Sequence, residues 1–287
     1  MIISSGIDNF LQRLAEVKAL STQFRAVSVV RTRLTLRDVS LYVQKDTQDL
    51  PLPETAECLA ANALLRICGL RFDLCEKQNT EYMSPSGRAP FVKCGSDIVS
   101  EMEPIARYLC GRGVAACSRL DSADGPRLRA LCSLLQSSLS AAELRVCWLH
   151  DATRRSLTDP RVSSGYPWPL CRFVAFQKRR RAIHWLRAVD GAKGGATFSL
   201  EQLYDQVDRV CSALSSQLGD AEFFFGDSAT QLEALLYGHL YLLLTVPVPL
   251  GEPPLAKHLA DPSGLSRGLL GVRGPHVGNH WAKECDG

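Results

Sequence analysis

From Val39 to about Cys110 the spacing of apolar residues changes repeatedly, and the order of the changes restricts the folds open to this chain. Val39, Leu41 and Val43 alternate with Ser40, Tyr42 and Gln44, and a period of two marks a half-buried strand. A polar connection follows from Asp46 to Pro53. The Ala- and Leu-rich run Glu54–Cys68 predicts a helix, with Gly69 placed to close it. Leu70, Phe72 and Leu74 alternate with Arg71, Asp73 and Cys75, giving a second strand. Strand–helix–strand implies a parallel pair joined by a right-handed crossover. Turn formers then cluster at Ser84-Pro85-Ser86-Gly87. Pro90 leads a short strand, Phe91–Cys94, which Gly95-Ser96-Asp97 turns back into Ile98-Val99. Ser100 stands three residues before Glu103, a capping box predicting a helix to about Cys110.

Beyond a Gly-, Ser- and Asp-bearing stretch, Gly111 to Pro126, every strong pattern is helical. Leu128, Leu131, Leu135, Leu139, Ala142, Val146 and Leu149 recur at steps of three and four, the stripe a helix turns toward a core. Ser199 with Gln202, and Thr230 with Glu233, read as two further capping boxes. The first precedes Leu203, Val207, Val210, Leu214 and Leu218; the second precedes Leu235, Leu236, Leu240 and Leu243. From Val246 onward Pro and Gly break any period, which predicts an irregular tail. The expected organisation is a leader over 1–37, a small α+β domain over 38–112, a linker over 113–126, an all-α domain over 127–245 and a tail over 246–287.

Composition narrows the class. Hydrophobic content of 46% and charged content of 22% belong to a globular protein. A net charge of only +3 argues against nucleic acid as partner. Eleven cysteines, an odd number and none in CxxC spacing, predict free thiols that behave as small buried hydrophobes. The most apolar stretch, Leu235–Leu250, is too short to span a bilayer and holds Gly238, His239, Pro247 and Pro249. Residues 1–37 have the basic bias of a mitochondrial presequence, but Asp8 and Glu16 interrupt it. An ordinary surface helix or an unstructured leader is the preferred reading.

The order β-α-β then β-β-α is that of a thioredoxin-like domain. Followed by an all-helical domain, it resembles the glutathione-transferase fold, with Ala89-Pro90 at the place of that fold's cis-proline. Within that fold the chain resembles the metaxin family. The residues carrying the resemblance are Glu81-Tyr82-Met83-Ser84-Pro85-Ser86-Gly87, Pro90-Phe91, Val99-Ser100-Glu101 and Pro104-Ile105. The likeness continues through Tyr166-Pro167-Trp168-Pro169-Leu170, Gln177-Lys178, Phe224-Phe225, Thr230, Leu232, Ala234-Leu235 and Gly238-His239-Leu240-Tyr241. It implies a non-enzymatic, peripheral protein on the cytosolic face of the mitochondrial outer membrane. There it would act in protein import and β-barrel sorting and assembly. The implied partners are a membrane-anchored metaxin-like protein and β-barrel assembly subunits, with β-barrel precursors as further candidates. Residues 1–37 and the stretch beyond Thr245 depart from the family's pattern.

The same resemblance locates a ligand site by its remains. Glutathione transferases grip the tripeptide with an acidic residue and a serine at the start of the helix after the hairpin, beside the cis-proline. Here those positions fall on Pro90, Glu101 and Met102. A thioether cannot donate the serine's hydrogen bond, a loss of about 1–3 kcal/mol per charged hydrogen bond. The thiol-activating position offers only Tyr42, inside the first strand, or Thr47. No catalytic, cofactor or metal residues are therefore expected.

Other constellations are weaker. His276 and His280 with Cys285 lack a scaffold and a fourth ligand. His150, His184 and His239 are dispersed and read as surface or satisfied core histidines. The sharp charge feature is Lys178-Arg179-Arg180-Arg181, on a helix expected to turn Phe173, Phe176, Ile183 and Leu186 toward the core. A solvated face is the plain reading of this run, and anionic lipid headgroups come next. Tyr166 and Trp168 form a rigid Pro-bracketed connector or an aromatic anchor for a partner. The alternatives to a scaffold are an active glutathione transferase and a transferase-like tether for translation components.

Overall fold

The computed structural model describes residues 38–45, 50–114, 124–191, 200–219, 221, 223–225 and 228–245. The predicted leader, the tail with His276, His280 and Cys285, Thr47, Ser199 and most of the linker lie outside them.

Strand β1 (Val39–Gln44) leads to helix α1 (Pro53–Ile67), strand β2 (Asp73–Lys77) and the single turn α2 (Thr80–Met83). Strands β3 (Phe91–Cys94) and β4 (Asp97–Ser100) precede helix α3 (Met102–Gly111). The sheet order is β2-β1-β3-β4. β1 and β2 are parallel, with Leu41 opposite Leu74; β1 and β3 are antiparallel, with Leu41 opposite Val92. This is the thioredoxin-like arrangement that the sequence predicts. Val39, Leu41 and Val43 are buried, as the alternation requires. α1 stops where Gly69 takes φ +67, its N–H bonding Arg66 O while Leu70 N–H bonds Leu65 O, a Schellman closure that only glycine enters without strain.

Two expectations are corrected here. The second strand starts at Asp73, not Leu70. Leu70 and Phe72 pack against the core before pairing begins, and Leu74 on the sheet's outer strand is exposed. Their alternation marks packing rather than pairing. Nor does Ser100 cap α3. It is still paired to Phe91 in β4, and its Oγ accepts a hydrogen bond from Ser84 Oγ at 2.9 Å. The cap position belongs to Glu101 at φ 69, and Glu103 pairs with Arg107 instead.

The helical half runs α4 (Asp124–Leu144), a π turn (Arg145–Leu149), α5 (Asp151–Thr153), a second π turn (Arg154–Thr158) and α6 (Asp159–Ser164). α7 (Leu170–Gly191), α8 (Leu200–Leu218) and α9 (Gln231–Thr245) follow. Leu128, Leu135, Leu139, Ala142 and Val146 are buried as the stripe predicts, but Leu149 is exposed. The wider π turn rotates the last member of the stripe out of register. One core joins the sheet, α1, α3, α4, α8 and α9. A second, around buried Trp148, gathers Leu50, Leu52, Leu144, Val174 and Leu186 under α7.

Candidate functional site

The residues that bear on function sit in three places. The first is the turn where a glutathione transferase would seat its ligand. Ala89–Pro90 is cis, as expected, and Pro90 O accepts a hydrogen bond from Glu101 N–H at 2.8 Å. Glu101 keeps an exposed, long ion pair with Arg88 at 3.8 Å. Met102 is 1% exposed and belongs to the main core. Its side chain is therefore part of the packing.

Four of the buried thiols offer little nucleophilic chemistry. Nine cysteines within the described residues are free. Burial pushes Cys58 and Cys211 up to about 12 and raises Cys94 and Cys147 as well. A thiol held that high is protonated at neutral pH and inert. Tyr42 stacks on Phe91 with ring centroids 4.4 Å apart. Among the described residues no three His, Cys, Asp or Glu side chains group as a metal site.

The second place is the contact between the two halves, where α9 lies on α1. A Cβ added at Gly238 would stand 2.2 Å from Ala56 O and 3.1 Å from Ala60 N. Only glycine allows this backbone approach. The next residue, His239, is fully buried, and its Nδ1 lies 2.7 Å from Glu143 Oε1, also fully buried. Burial raises the Glu143 carboxyl. Burial alone would lower His239, but the Glu143 carboxylate holds it above its ordinary value. Both directions favour a proton kept on the pair. His239 Nε2 and Glu143 Oε2 have no hydrogen-bond partner among the described residues. On the facing side of α1, Gln136 Nε2 donates to Glu57 Oε1 at 3.4 Å, and burial pushes Glu57 up to about 7. α9 itself is started by the predicted box: Thr230 Oγ1 accepts from Leu232 N–H, and Glu233 accepts from Thr230 N–H at 2.7 Å and from Phe224 N–H at 2.9 Å. His239 is thus a core histidine, one of the two readings the sequence left open, partnered at Nδ1 by Glu143. Its partner, and the reason for Gly238, were not foreseen. A lone glycine in the apolar run of α9 and a lone acid in the apolar run Ala141–Val146 were the available signals.

The third place is α7 and the connector before it. The structure turns Lys178 inward onto Glu81 of α2, with the two side chains 17% and 13% exposed. Arg180 and Arg181 remain exposed, and Arg179 is half-buried. Val174, Ala182 and Leu186 form the packed face. Phe173 and Phe176, expected to face the core, are instead 62% and 63% exposed. The true packed face is centred on Lys178, whose amine reaches Glu81; a purely apolar reading places Leu186 correctly but turns the helix by about a third of a turn. Tyr166 packs against the second core, while Trp168, in a second cis X–Pro step with Pro169, is 80% exposed. Among the described residues no helix is long and apolar enough to cross a membrane.

Comparison with known proteins matches this arrangement in both halves. Residues 56–153 match the family model described as glutathione S-transferase N-terminal domain, and 207–265 the glutathione S-transferase C-terminal domain. Metaxin-2 of Mus musculus is 36% identical over 208 residues, covering 72% of this chain and 78% of that protein. The metaxin-2 homolog of Caenorhabditis elegans is 32% identical over 209 residues, covering 73% of this chain and 89% of the relative. Metaxin-1 of Mus musculus is 27% identical over 186 residues, covering 64% and 58%.

Proposed function

The chain belongs to the metaxin family, and from that premise we propose that it is a non-enzymatic binding subunit acting in protein import and β-barrel assembly at the mitochondrial outer membrane. Its partners in this reading are a membrane-anchored metaxin-like protein and β-barrel assembly subunits, and it sits peripherally on the cytosolic face. The observation that carries the non-enzymatic part is Met102. A glutathione transferase needs a hydroxyl aimed at its ligand there, and this chain has a thioether packed in the core. The protonated state of its buried thiols supports the same reading. The mechanism is association: a rigid two-part body, fixed by the α1–α9 contact, presents its outer surfaces to partners.

Affinity purification of the full chain from cells, read by mass spectrometry, tests this. Recovery of a metaxin-like membrane protein together with β-barrel assembly subunits is the expected result. Recovery of neither, with retention on immobilised glutathione and turnover of an electrophile, would replace the scaffold with an enzyme.

A further inference from the structure

From Pro160 to Val189 the chain carries seven Lys and Arg residues and no Asp or Glu. The whole chain nets only +3, so this stretch is a local concentration of charge. Within it, Phe173, Phe176, Arg180, His184 and Arg187 follow each other at steps of three and four, which puts them on one side of α7. The packed face of the helix, Val174, Ala182 and Leu186, lies opposite. The outer stripe is therefore aromatic at its N-terminal end and cationic further along. Trp168 and Leu170, both exposed, extend the aromatic end, and exposed Arg172 flanks it.

We propose that this outer face of α7, with Trp168, Phe173 and Phe176 as the inserting group and Arg172, Arg180 and Arg187 as the headgroup-binding group, docks on an anionic lipid bilayer. The proposal rests on the outer-membrane reading above only for the place where such a bilayer would be met. The two chemistries match the two layers of a membrane surface. Trp and Phe settle at the boundary between headgroups and acyl chains, while Arg holds phosphates just outside it. Over these thirty residues no acid of the stretch itself repels an anionic surface. A bare polyanion such as RNA would use the arginines and give Leu170 and Phe173 no apolar medium. A large exposed aromatic patch is not required by this fold, whose second core closes beneath α7 without it.

The test is sedimentation of the purified full chain with vesicles of equal parts phosphatidylcholine and phosphatidylserine, against phosphatidylcholine alone. Binding to the mixed vesicles, weakened by added salt, is expected. Replacing Arg180 and Arg187 by Gln should cut it about tenfold, in keeping with charge attraction that salt screens. Phe173→Ser with Phe176→Ser should abolish it while thermal unfolding stays unchanged, because both side chains are already exposed. Trp168 supplies a second readout: its fluorescence should shift to the blue on binding, and Trp168→Phe should remove that shift while vesicles are still bound. Equal binding to both vesicle types, or no binding to either, overturns the proposal. If vesicles fail to bind while the phenylalanine variant loses a protein partner in affinity purification, the face docks protein, and the scaffold reading stands without the lipid contact.

Discussion

The α1–α9 contact and the outer face of α7 both place unusual residues on helices, but only the first is explained by the contacts it makes. At the inner contact a mid-helix glycine, a buried histidine and a buried glutamate would each weaken an ordinary helix. Gly238 is required by the carbonyl of Ala56, and His239 and Glu143 answer each other. On α7 and the connector before it, exposed Phe173, Phe176 and Trp168 belong to neither hydrophobic core among the described residues. An odd residue accounted for by its neighbours reports on how the fold is held. One that its neighbours leave unaccounted for reports on something outside the chain.

That comparison can be broken most forcefully at the buried pair. Glu143→Leu alone should destabilise the protein by about 3–5 kcal/mol in denaturant unfolding, since it strands a buried imidazole. The double change Glu143→Leu with His239→Leu should cost less than either single one, because no charge is then left unpaired. Additive losses would show that the two residues act independently. Gly238→Ala comes next, at about 3 kcal/mol, read as a lower Tm: the clash with Ala56 O outweighs the roughly 1 kcal/mol that alanine gains in helix propensity. A neutral effect would mean that α9 can lift off α1 without loss.

A pH-dependent effect belongs to Glu57. Its folded value near 7 lies above its ordinary 4.5, so the folded state binds the extra proton. That contribution is fully present below the ordinary value and is lost as pH rises through about 7, on the order of 3 kcal/mol. Glu57→Gln should therefore stabilise the protein relative to wild type increasingly as pH is raised, and a pH-independent difference would contradict it. On the outer face, Phe173→Ser should change stability by no more than about 0.5 kcal/mol. A larger loss would make that ring structural and erase the contrast.

Much of the inner region was legible in the sequence because periodicity and caps are local. β1, α1 with its Gly69 closure, the β3–β4 hairpin and the Thr230–Glu233 box depend on residues a few positions apart, whereas the cis step before Pro90 was expected only from the resemblance to the glutathione-transferase fold. Contacts that join distant residues were not legible. Nothing near Ser100 reveals that Ser84 claims its hydroxyl, and nothing near Lys178 reveals that Glu81 draws it inward and turns Phe173 and Phe176 outward. Met102 was placed by aligning its helix with the transferase helix that begins with a serine, but that its side chain belongs to the core needed three dimensions.

The central claim is that Met102, at the position where the glutathione-transferase resemblance expects a ligand-gripping serine, belongs to the packed core instead, leaving binding to the outer surfaces. Calorimetric titration of the full chain with reduced glutathione up to millimolar concentration addresses it most directly. The account predicts no saturable heat, and none gained on Glu101→Gln or lost on Met102→Leu. Saturable binding that Glu101→Gln weakens would place the tripeptide beside Pro90 after all and contradict it.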